Sequence, residues 1–301
     1  MQPISHNTPQ SVTIVVPAKN EAGNLKTLLP KLIEVMPDAE IIVVNDGSSD
    51  DTLTICREHD IHVISHPYSM GNGASIKSGA RAAAGDILVF MDGDGQHDPN
   101  DIPRLLEKIR AGYEMAVGAR SVDTHASLIR RIGNSFYNKL ASIMTGSKIL
   151  DLTSGFRATR ARHFRKFLYL LPNGFSYPTT STMAFFRSGL PVAYVPIKAA
   201  KRTGKSKINL IKDGLRFFLI IIKIGALYSP MRFFLPISTA IFLTGLCYYI
   251  YTYINYKQFT NMSALLFTTS ILVFLIGILS EQISSLHYKG ASEDQRKSSR
   301  K

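Results

Sequence analysis

Tryptophan is absent from the sequence, and cysteine occurs only twice in its 301 residues. Cys56 lies in the first half of the chain and Cys247 lies within an apolar stretch. This placement argues against a disulfide framework and fits a reducing compartment. The N-terminal segment lacks an apolar core of the signal-peptide type, so we expect the N-terminus to stay on the side where it is made. Internal repeats are missing too, and the length suffices for one sizeable core with some additional structure.

Acidic residues are scarce relative to basic ones: 22 Asp and Glu against 35 Lys and Arg give a formal net charge of +13. Such an excess favours an anionic partner, either nucleic acid or an anionic membrane surface. The basic residues gather just before and after two long apolar stretches near the C-terminus, and no nucleic-acid-binding motif is present. The charge therefore predicts a lipid bilayer as partner, and no nucleic acid.

The two apolar stretches, Phe233–Ile254 and Ser263–Ser280, contain no charged residue. Each has roughly the ~20 residues needed to cross the hydrocarbon of a membrane. Buried helices of a soluble protein rarely lack charge on every face, so we predict a two-span transmembrane hairpin over residues 233–285. Residues 208–232 mix basic and large apolar side chains, which is typical of amphipathic helices at the membrane interface. Such helices could also support a homo-oligomer.

The distribution of Lys and Arg predicts the orientation in the membrane. Between the two spans the only basic residue is Lys257, whereas the C-terminal tail, 286–301, carries five. This excess predicts a cytoplasmic tail. Two spans return the chain to its starting side, so residues 1–207 are predicted to form a cytoplasmic domain of a multi-pass protein of the inner or plasma membrane.

The first half of the chain predicts an α/β fold. Three short β-rich runs alternate with stretches of helical periodicity: Thr13–Pro17, Glu40–Asn45 and Asp86–Met91. Strands that alternate with helices indicate a wound, mostly parallel sheet. A polar cluster follows each run, at residues 17–21, 46–51 and 92–97. Because the carboxyl ends of parallel strands share one edge, we expect the three clusters to face one ligand-binding cleft.

The third run ends abruptly in Asp92-Gly93-Asp94-Gly95. Carboxylates at i and i+2 can converge on one hard divalent cation, and Mg²⁺ or Mn²⁺ takes one or two protein carboxylates together with substrate phosphates. The alternative is an ordinary turn, since Asp and Gly are common turn formers. The two neighbouring polar clusters favour the metal–diphosphate site.

The usual phosphate-binding motifs are missing. Neither G-x-G-x-x-G after the first strand nor G-x-x-x-x-G-K-[ST] occurs, so the sequence lacks the dinucleotide fingerprint and the P-loop. Gly71-Asn72-Gly73 superficially resembles a phosphate loop, but it follows the weakest predicted strand, His62–Ser65. We interpret it as a helix start that needs a flexible backbone.

Five motifs follow one another along the chain: P-A-K-N-E at 17–21, N-D-G-S-S-D-D-T at 45–52, G-N-G-A-S-I-K-S-G at 71–79, D-G-D-G-Q-H at 92–97 and V-G-A-R at 117–120. In this combination they resemble the family 2 glycosyltransferases of the dolichol-phosphate mannose synthase and bacterial polyprenyl-phosphate glycosyltransferase type. The resemblance covers about residues 12–207. It implies a Rossmann-like GT-A catalytic domain with a mostly parallel sheet, and a nucleotide-diphospho-sugar donor.

The resemblance also implies roles for single residues. The metal, Mg²⁺ or Mn²⁺, would be bound by Asp92, Asp94 and Gln96. The nucleotide would be held by Pro17, Ala18, Glu21, Asp46, Gly73, Lys77, Asp92, Arg202 and Lys207. The last two belong to a basic segment that either closes over the donor diphosphate as a mobile loop or is a juxtamembrane basic patch. His97 lies in the same turn, and a lone histidine in such a turn is as often a hydrogen-bonding neighbour as a ligand.

An acceptor phosphate needs cations, and Arg has the matching bidentate geometry. The resemblance places Arg120, Arg130, Arg131 and Ser135 at the acceptor phosphate, although arginines of this kind are also commonly solvated. Asp151 lies in a loop that looks like the acceptor-side loop of the family. It could act as a catalytic base, orient other groups or cap the next helix.

Together these features predict inverting transfer of a hexose from a nucleotide sugar to undecaprenyl or dolichyl phosphate, with a UDP-glucose-like donor preferred and GDP-mannose as the alternative. A phosphate monoester has its second pKa near ~6, so this nucleophile needs no strong base. A processive polysaccharide synthase is a rival, but its Q-x-x-R-W motif is missing along with every Trp. A catalytically inactive, membrane-tethered binding protein is a second rival. Both carboxylates, Asp92 and Asp94, are present, which argues against it.

Overall fold

The computed structural model describes residues 10–120, 128–174, 176–198 and 230–298, without the side chains of 128–134, 136 and 287–298. The chain divides into two compact units. The first comprises residues 1–138 and 148–214, and the second comprises 139–147 and 215–301. The interfacial helices predicted at 208–232 lie outside the described residues up to position 229.

The first unit is built on a seven-stranded sheet in the order β3-β2-β1-β4-β6-β5-β7. Only β6 runs antiparallel to its neighbours, so the sheet is mostly parallel, as predicted. The strands are β1 (Val12–Ala18), β2 (Glu40–Asn45), β3 (His62–Ser65), β4 (Ile87–Phe90), β5 (Met115–Arg120), β6 (Arg157–Arg160) and β7 (Val192–Ile197).

Seven described helices connect or flank these strands, and short 3₁₀ turns occur at Pro99–Asp101 and Leu168–Leu170. The core is formed where apolar faces meet the sheet. In the first helix, for example, Leu25, Leu29 and Leu32 are completely buried because they recur at helical spacing. The helices are α1 (Ala22–Val35), α2 (Thr52–Glu58), α3 (Asn72–Ala82), α4 (Ile102–Arg110), α5 (Leu128–Thr145), α6 (Ala161–Lys166) and α7 (Tyr177–Arg187).

Strand β6 positions a loop beside the predicted metal site. It lies between β4 and β5, with Arg157 opposite Phe90 in antiparallel register. Because β6 runs against β4, the residues that precede it lie where β4 ends. Segment 154–156 is thereby brought next to Asp92, and a Cβ added at Gly155 would lie 2.6 Å from Asp92 Oδ2.

The second unit contains two long helices, Pro230–Tyr256 and Asn261–Ser298, which we call the hairpin helices. By length and composition two segments could cross a membrane: Pro230–Tyr256 with a mean hydropathy of 1.7 and Asn261–Leu286 with 2.4. The second helix extends well beyond the predicted span and into the predicted tail. In the same unit, Arg232 Nη1 donates to the Met144 carbonyl oxygen at 3.0 Å, which caps the last turn of α5.

The hairpin helices meet through small residues that recur every seven positions. These residues are buried, while large side chains such as Leu243, Leu265 and Leu279 are more than half exposed. A soluble hairpin would bury its large apolar residues, whereas lipid-embedded helices pack through small ones. The small residues are Ser238, Gly245 and Thr252 in the first helix, and Ser263, Ser270, Gly277 and Ser284 in the second.

Candidate active site

Asp92 lies where the chain leaves the sheet after β4. The Met91 amide still donates to Val15 and the Gly93 amide donates to Pro17, at 3.2 and 3.3 Å, so the backbone on both sides of Asp92 is fixed to β1. Asp92 itself is half-buried, and within the described part of the chain it accepts one long hydrogen bond, from Asn72 Nδ2 at 3.4 Å. Its carboxylate therefore keeps most of its acceptor capacity for a ligand.

Asp94 and Gln96 follow in the same loop, and both are half-buried. The Gln96 amide donates to Asp94 Oδ1 at 3.2 Å, which holds the turn closed. Among the described residues, no group of three or more His, Cys, Asp or Glu side chains could hold a metal ion. Oxygen donors from two carboxylates fit a hard cation that takes its remaining ligands from a diphosphate.

The loop after β1 is tied to the loop after β2. The Asn20 amide donates to Ser48 Oγ at 3.0 Å, and Asn20 Oδ1 accepts from the Ser49 amide at 2.8 Å. The Glu21 amide donates to Thr52 Oγ1 at 3.1 Å. Pro17 is half-buried and Ala18 is buried beside these contacts. The structure thus brings the three polar clusters to one edge of the sheet, as the pattern predicts.

Asp46 serves as an internal anchor at this edge. It is only 4 % exposed, and both of its carboxylate oxygens accept hydrogen bonds. The donors are His66 Nδ1 at 2.8 Å, Ser69 Oγ at 2.7 Å, the Met70 amide at 2.7 Å and the Gly71 amide at 3.0 Å. Burial opposes its ionisation, but these hydrogen bonds outweigh burial and lower the pKa of Asp46. Asp46 therefore holds the 66–71 loop, and its predicted contact with the nucleoside stays a prediction.

The start of α3 is packed against the turn at 172–174. The Gly73 amide donates to the Gly174 carbonyl at 3.2 Å, and a Cβ at Gly73 would lie 2.1 Å from the Pro172 oxygen. Lys77 Nζ donates to the Leu171 carbonyl at 3.1 Å and also to the Asn173 side chain. Gly73 is thus needed for close packing. The nucleotide-binding roles of Gly73 and Lys77 stay predictions.

Arg120 and Asp151 form a bidentate ion pair, with Nε and Nη2 donating to the two carboxylate oxygens at 2.8 and 3.0 Å. The amides of Thr153 and Ser154 also donate to Asp151, both at 3.1 Å. Burial works against ionisation of Asp151, yet Arg120 and these amides more than offset it and lower the pKa of Asp151. A carboxylate with a low pKa is a poor base when its lone pairs already accept hydrogen bonds. The geometry of Asp151 therefore favours the orienting role.

His97 interacts electrostatically with Asp92 and Asp94 and with the Arg120–Asp151 ion pair. It is 8 % exposed, its ring stacks on Phe156 at 5.1 Å, and its Nδ1 is buried without a partner among the described residues. Burial lowers the pKa of His97, opposed in part by the charges of Asp92 and Asp94. Burial of the ring therefore favours its neutral form.

Arg157, which no sequence motif singled out, is completely buried at the start of β6. Its Nη1 donates to the Pro178 carbonyl at 3.0 Å, to Ser181 Oγ at 2.8 Å and to Thr182 Oγ1 at 3.0 Å. Burial lowers the pKa of Arg157, partly offset by Asp151 and Asp92. The run of hydroxyl residues at 179–182 was the available signal, since such residues in a buried helix need a donor or acceptor.

The remaining predicted residues are placed less fully. Ser135 lies on α5 and is exposed. Arg130 and Arg131 lie on the same helix, but their side chains are outside the described residues, as are Arg202 and Lys207 entirely.

Two families match the chain. Residues 13–168 match "Glycosyl transferase family 2", and residues 229–286 match "GtrB C-terminal hairpin". Glycosyltransferase AglJ from Haloferax volcanii is 26 % identical over 295 residues, covering 93 % of this chain and 96 % of the relative. Undecaprenyl-phosphate mannosyltransferase from Micrococcus luteus is 30 % identical, covering 66 % and 87 %. Polyprenol monophosphomannose synthase from Mycolicibacterium smegmatis is 28 % identical, covering 66 % and 82 %.

Solved structures of glucosyl-3-phosphoglycerate synthase from Mycobacterium tuberculosis share the fold. The complex with Mn²⁺, UDP and glucosyl-3-phosphoglycerate has a TM-score of 0.59 and 20 % identity, over 72 % of this chain and 80 % of that one. The complex with Mn²⁺ and UDP-glucose has a TM-score of 0.60 and 19 % identity, over 72 % and 79 %. This likeness confirms the predicted fold of the first unit.

Proposed function

Since the chain belongs to glycosyltransferase family 2, we propose that it transfers a hexose from a nucleotide-diphospho-sugar to a polyprenyl phosphate, with inversion at the anomeric carbon. The observation that carries this proposal is a half-buried carboxylate, Asp92, at the carboxyl edge of β4 with Arg120 in the same electrostatic cluster. The same site thus supplies a carboxylate that can bind a metal ion and a guanidinium that can bind a phosphate.

The relatives support the acceptor class. Three of them are named for mannose transfer to undecaprenyl, polyprenol or dolichol phosphate, and another for transfer of 4-deoxy-4-formamido-L-arabinose to undecaprenyl phosphate. We propose undecaprenyl or dolichyl phosphate as acceptor and a UDP-glucose-like donor. GDP-mannose is the alternative that the mannose-transferring relatives favour.

We propose Asp92, Asp94 and Gln96 as the residues that would hold Mg²⁺ or Mn²⁺. When bound, such a cation neutralises the leaving nucleoside diphosphate. Pro17, Ala18 and Glu21 line the same edge of the sheet and are proposed to hold the nucleoside, with Asp46 acting through the loop that it anchors.

Arg120 is the best-described candidate for the acceptor phosphate. Its side chain is 35 % exposed, and its Nη1 makes no hydrogen bond within the described part of the chain, while Nε and Nη2 are held by Asp151. A guanidinium fixed on one side by a carboxylate can present its other nitrogen to phosphate in a defined direction. We propose that Arg130, Arg131 and Ser135 complete this site from α5.

The nucleophile requires little activation. A phosphate monoester is largely dianionic at neutral pH because its second pKa is near ~6. Orientation of the phosphate oxygen toward the anomeric carbon then supplies much of the rate. Asp151 contributes by fixing Arg120, so the mechanism needs no proton transfer to Asp151.

We propose that the membrane segments bring the protein to the bilayer that holds the lipid acceptor. We propose a cytoplasmic catalytic domain at 1–207, interfacial helices at 208–232, a membrane hairpin at 233–285 and a cytoplasmic basic tail at 286–301. Arg202 and Lys207, at the end of the catalytic domain, would close over the donor diphosphate.

The test is to incubate purified full-length protein with Mn²⁺ or Mg²⁺, undecaprenyl phosphate and a panel of labelled nucleotide sugars that includes UDP-glucose and GDP-mannose. We expect one lipid-linked monosaccharide from one donor, with the anomeric configuration inverted by NMR. A reaction without undecaprenyl phosphate controls for donor hydrolysis. A polymeric product would identify a processive synthase, and no product from any donor would refute the proposal.

A further inference from the structure

Asn72 is placed beside Asp92 by the first turn of α3. Its Nδ2 donates to Asp92 Oδ1 at 3.4 Å, while its Oδ1 is buried and has no hydrogen-bond partner among the described residues. A carboxylate accepts but does not donate when ionised, so Asp92 fixes the amide nitrogen toward itself and leaves the amide oxygen to a different partner.

The backbone around Asn72 is fixed on both sides. The preceding Gly71 amide donates to Asp46 at 3.0 Å, and the following Gly73 amide donates to Gly174 at 3.2 Å. A substituent at Gly73 has no room, because a Cβ there would lie 2.1 Å from the Pro172 oxygen. The orientation of Asn72 is therefore built into the fold.

Buried polar atoms without a partner are rare in native proteins, and one that lies in a site calls for a partner such as a ligand or an ion. The unpaired atom of Asn72 is an amide oxygen, so its partner is a hydrogen-bond donor or a cation. In a nucleotide sugar the diphosphate only accepts, whereas the hydroxyls of the ribose and the hexose donate, as do the N–H groups of the nucleobase. A hydrogen bond between Asn72 Oδ1 and the diphosphate oxygens is thereby excluded by chemistry.

We propose that Asn72 is a specificity-determining residue whose Oδ1 accepts a hydrogen bond from a hydroxyl of the nucleotide sugar while its Nδ2 holds Asp92. This inference rests on the proposed function, since it requires a hydroxylated ligand held at Asp92. It gives the G-N-G motif at 71–73 a role besides starting a helix.

The test compares full-length wild-type protein with Asn72→Ala and with the control Asn100→Ala. Asn100 is exposed and donates to Asp98 within its own turn, so its loss leaves Asp92 untouched. Isothermal titration with Mn²⁺ present measures the affinity for the nucleotide sugar that the wild type turns over and for the matching nucleoside diphosphate. We expect Asn72→Ala to bind the nucleotide sugar roughly threefold to tenfold more weakly, the effect of one lost hydrogen bond. Asn100→Ala should bind as the wild type does.

The two ligands identify the hydroxyl. If the hexose supplies it, only the nucleotide sugar is bound more weakly, and if the ribose supplies it, the nucleoside diphosphate is affected equally. An analogue that lacks the recognised hydroxyl should bind wild type and Asn72→Ala with the same affinity.

Two results would overturn the inference alone. One is unchanged affinity of Asn72→Ala for both ligands in a protein whose wild type is active. The other is a fall in Mn²⁺ affinity, measured by EPR at saturating nucleoside diphosphate, as large as the fall in nucleotide affinity, because Asn72 would then act through Asp92 or the cation. A wild type that transfers no sugar from any donor would instead refute the proposed function, and the inference with it.

Discussion

Gly155 offers a direct test of whether the position of Asp92 controls the reaction. A Cβ added at this glycine would lie 2.6 Å from Asp92 Oδ2 and 3.2 Å from Tyr177 Oη. Tyr177 cannot yield, because it is 1 % exposed and its hydroxyl donates to the Gly155 carbonyl. Ordinary contact begins at about 3.4 Å, so the carboxylate end of Asp92 must retreat by about 0.8 Å.

We therefore expect Gly155→Ala to reduce kcat by up to roughly 100-fold, since a misplacement of about 1 Å can cost this much. Stability should fall by only about 1 kcal/mol, because the end of one half-buried side chain moves rather than the core. The backbone of Gly155 lies outside the left-handed region, so Ala adds no strain of its own.

The assay measures lipid-linked product at saturating undecaprenyl phosphate over a range of Mn²⁺ concentrations, with a thermal melt of the same preparations. The matched control is Gly23→Ala, where an added Cβ has no neighbour within 4 Å. We expect the variant to need more Mn²⁺ for half-maximal activity. A kcat within twofold of wild type at an unchanged Mn²⁺ requirement would refute the reasoning, as would an equal loss in the control.

Three further predictions follow from the same structure. Asp94→Asn should abolish transfer and leave the melting temperature within a few degrees of wild type, and retention of transfer in this variant would contradict a role for Asp94 at the cation. Asp46→Asn should cost about 3 kcal/mol at pH 7, because it breaks a buried hydrogen-bonded carboxylate cluster. Since folding lowers the pKa of Asp46, its stabilisation is present above the ordinary value of 3.8 and is lost as the pH falls through the lowered value, so chemical denaturation should show a smaller deficit at pH 3 than at pH 7. Gly277→Leu should separate the hairpin helices, because a Cβ there already lies 2.9 Å from Phe234 Cβ. Disulfide formation between cysteines introduced at positions 238 and 270 should then fall, and unchanged cross-linking would contradict the packing.

Those strands of the sheet that appear as short apolar runs could be predicted from the sequence. Strands β2 and β3 have the predicted limits, and the apolar run before Asp92 is a strand buried along its whole length. Burial of β2 and β4 on both faces requires continuous apolar residues, so the pattern of these two strands is visible in any short window. The same reasoning correctly brought the three polar clusters to one edge.

Strand β6 could not be predicted in this way. Its sequence, Arg157-Ala-Thr-Arg160, begins and ends in arginine, yet all four residues are buried in the middle of the sheet. The position is tolerated because hydroxyl groups of α7, more than 20 residues later, solvate Arg157. Contacts between residues so far apart in the sequence leave no local pattern, so β6 could not be predicted. The close approach of Gly155 to Asp92 depends on β6, so it could not be predicted either.

The acidic residues at the edge of the sheet differ in how many hydrogen bonds each carboxylate accepts. Asp46 and Asp151 each accept at least four hydrogen bonds from neighbouring groups, and folding lowers the pKa of both. A divalent cation would gain little from such carboxylates, because their lone pairs are already directed at protons. Asp92 accepts only the long bond from Asn72 in the described part of the chain, so its charge is compensated least by the protein itself. The sequence places Asp46 and Asp92 in one cleft, and the family resemblance places Asp151 in an acceptor-side loop. Only the number of hydrogen bonds that each carboxylate accepts separates Asp46 and Asp151, which hold loops in place, from Asp92, which keeps acceptor capacity for a ligand.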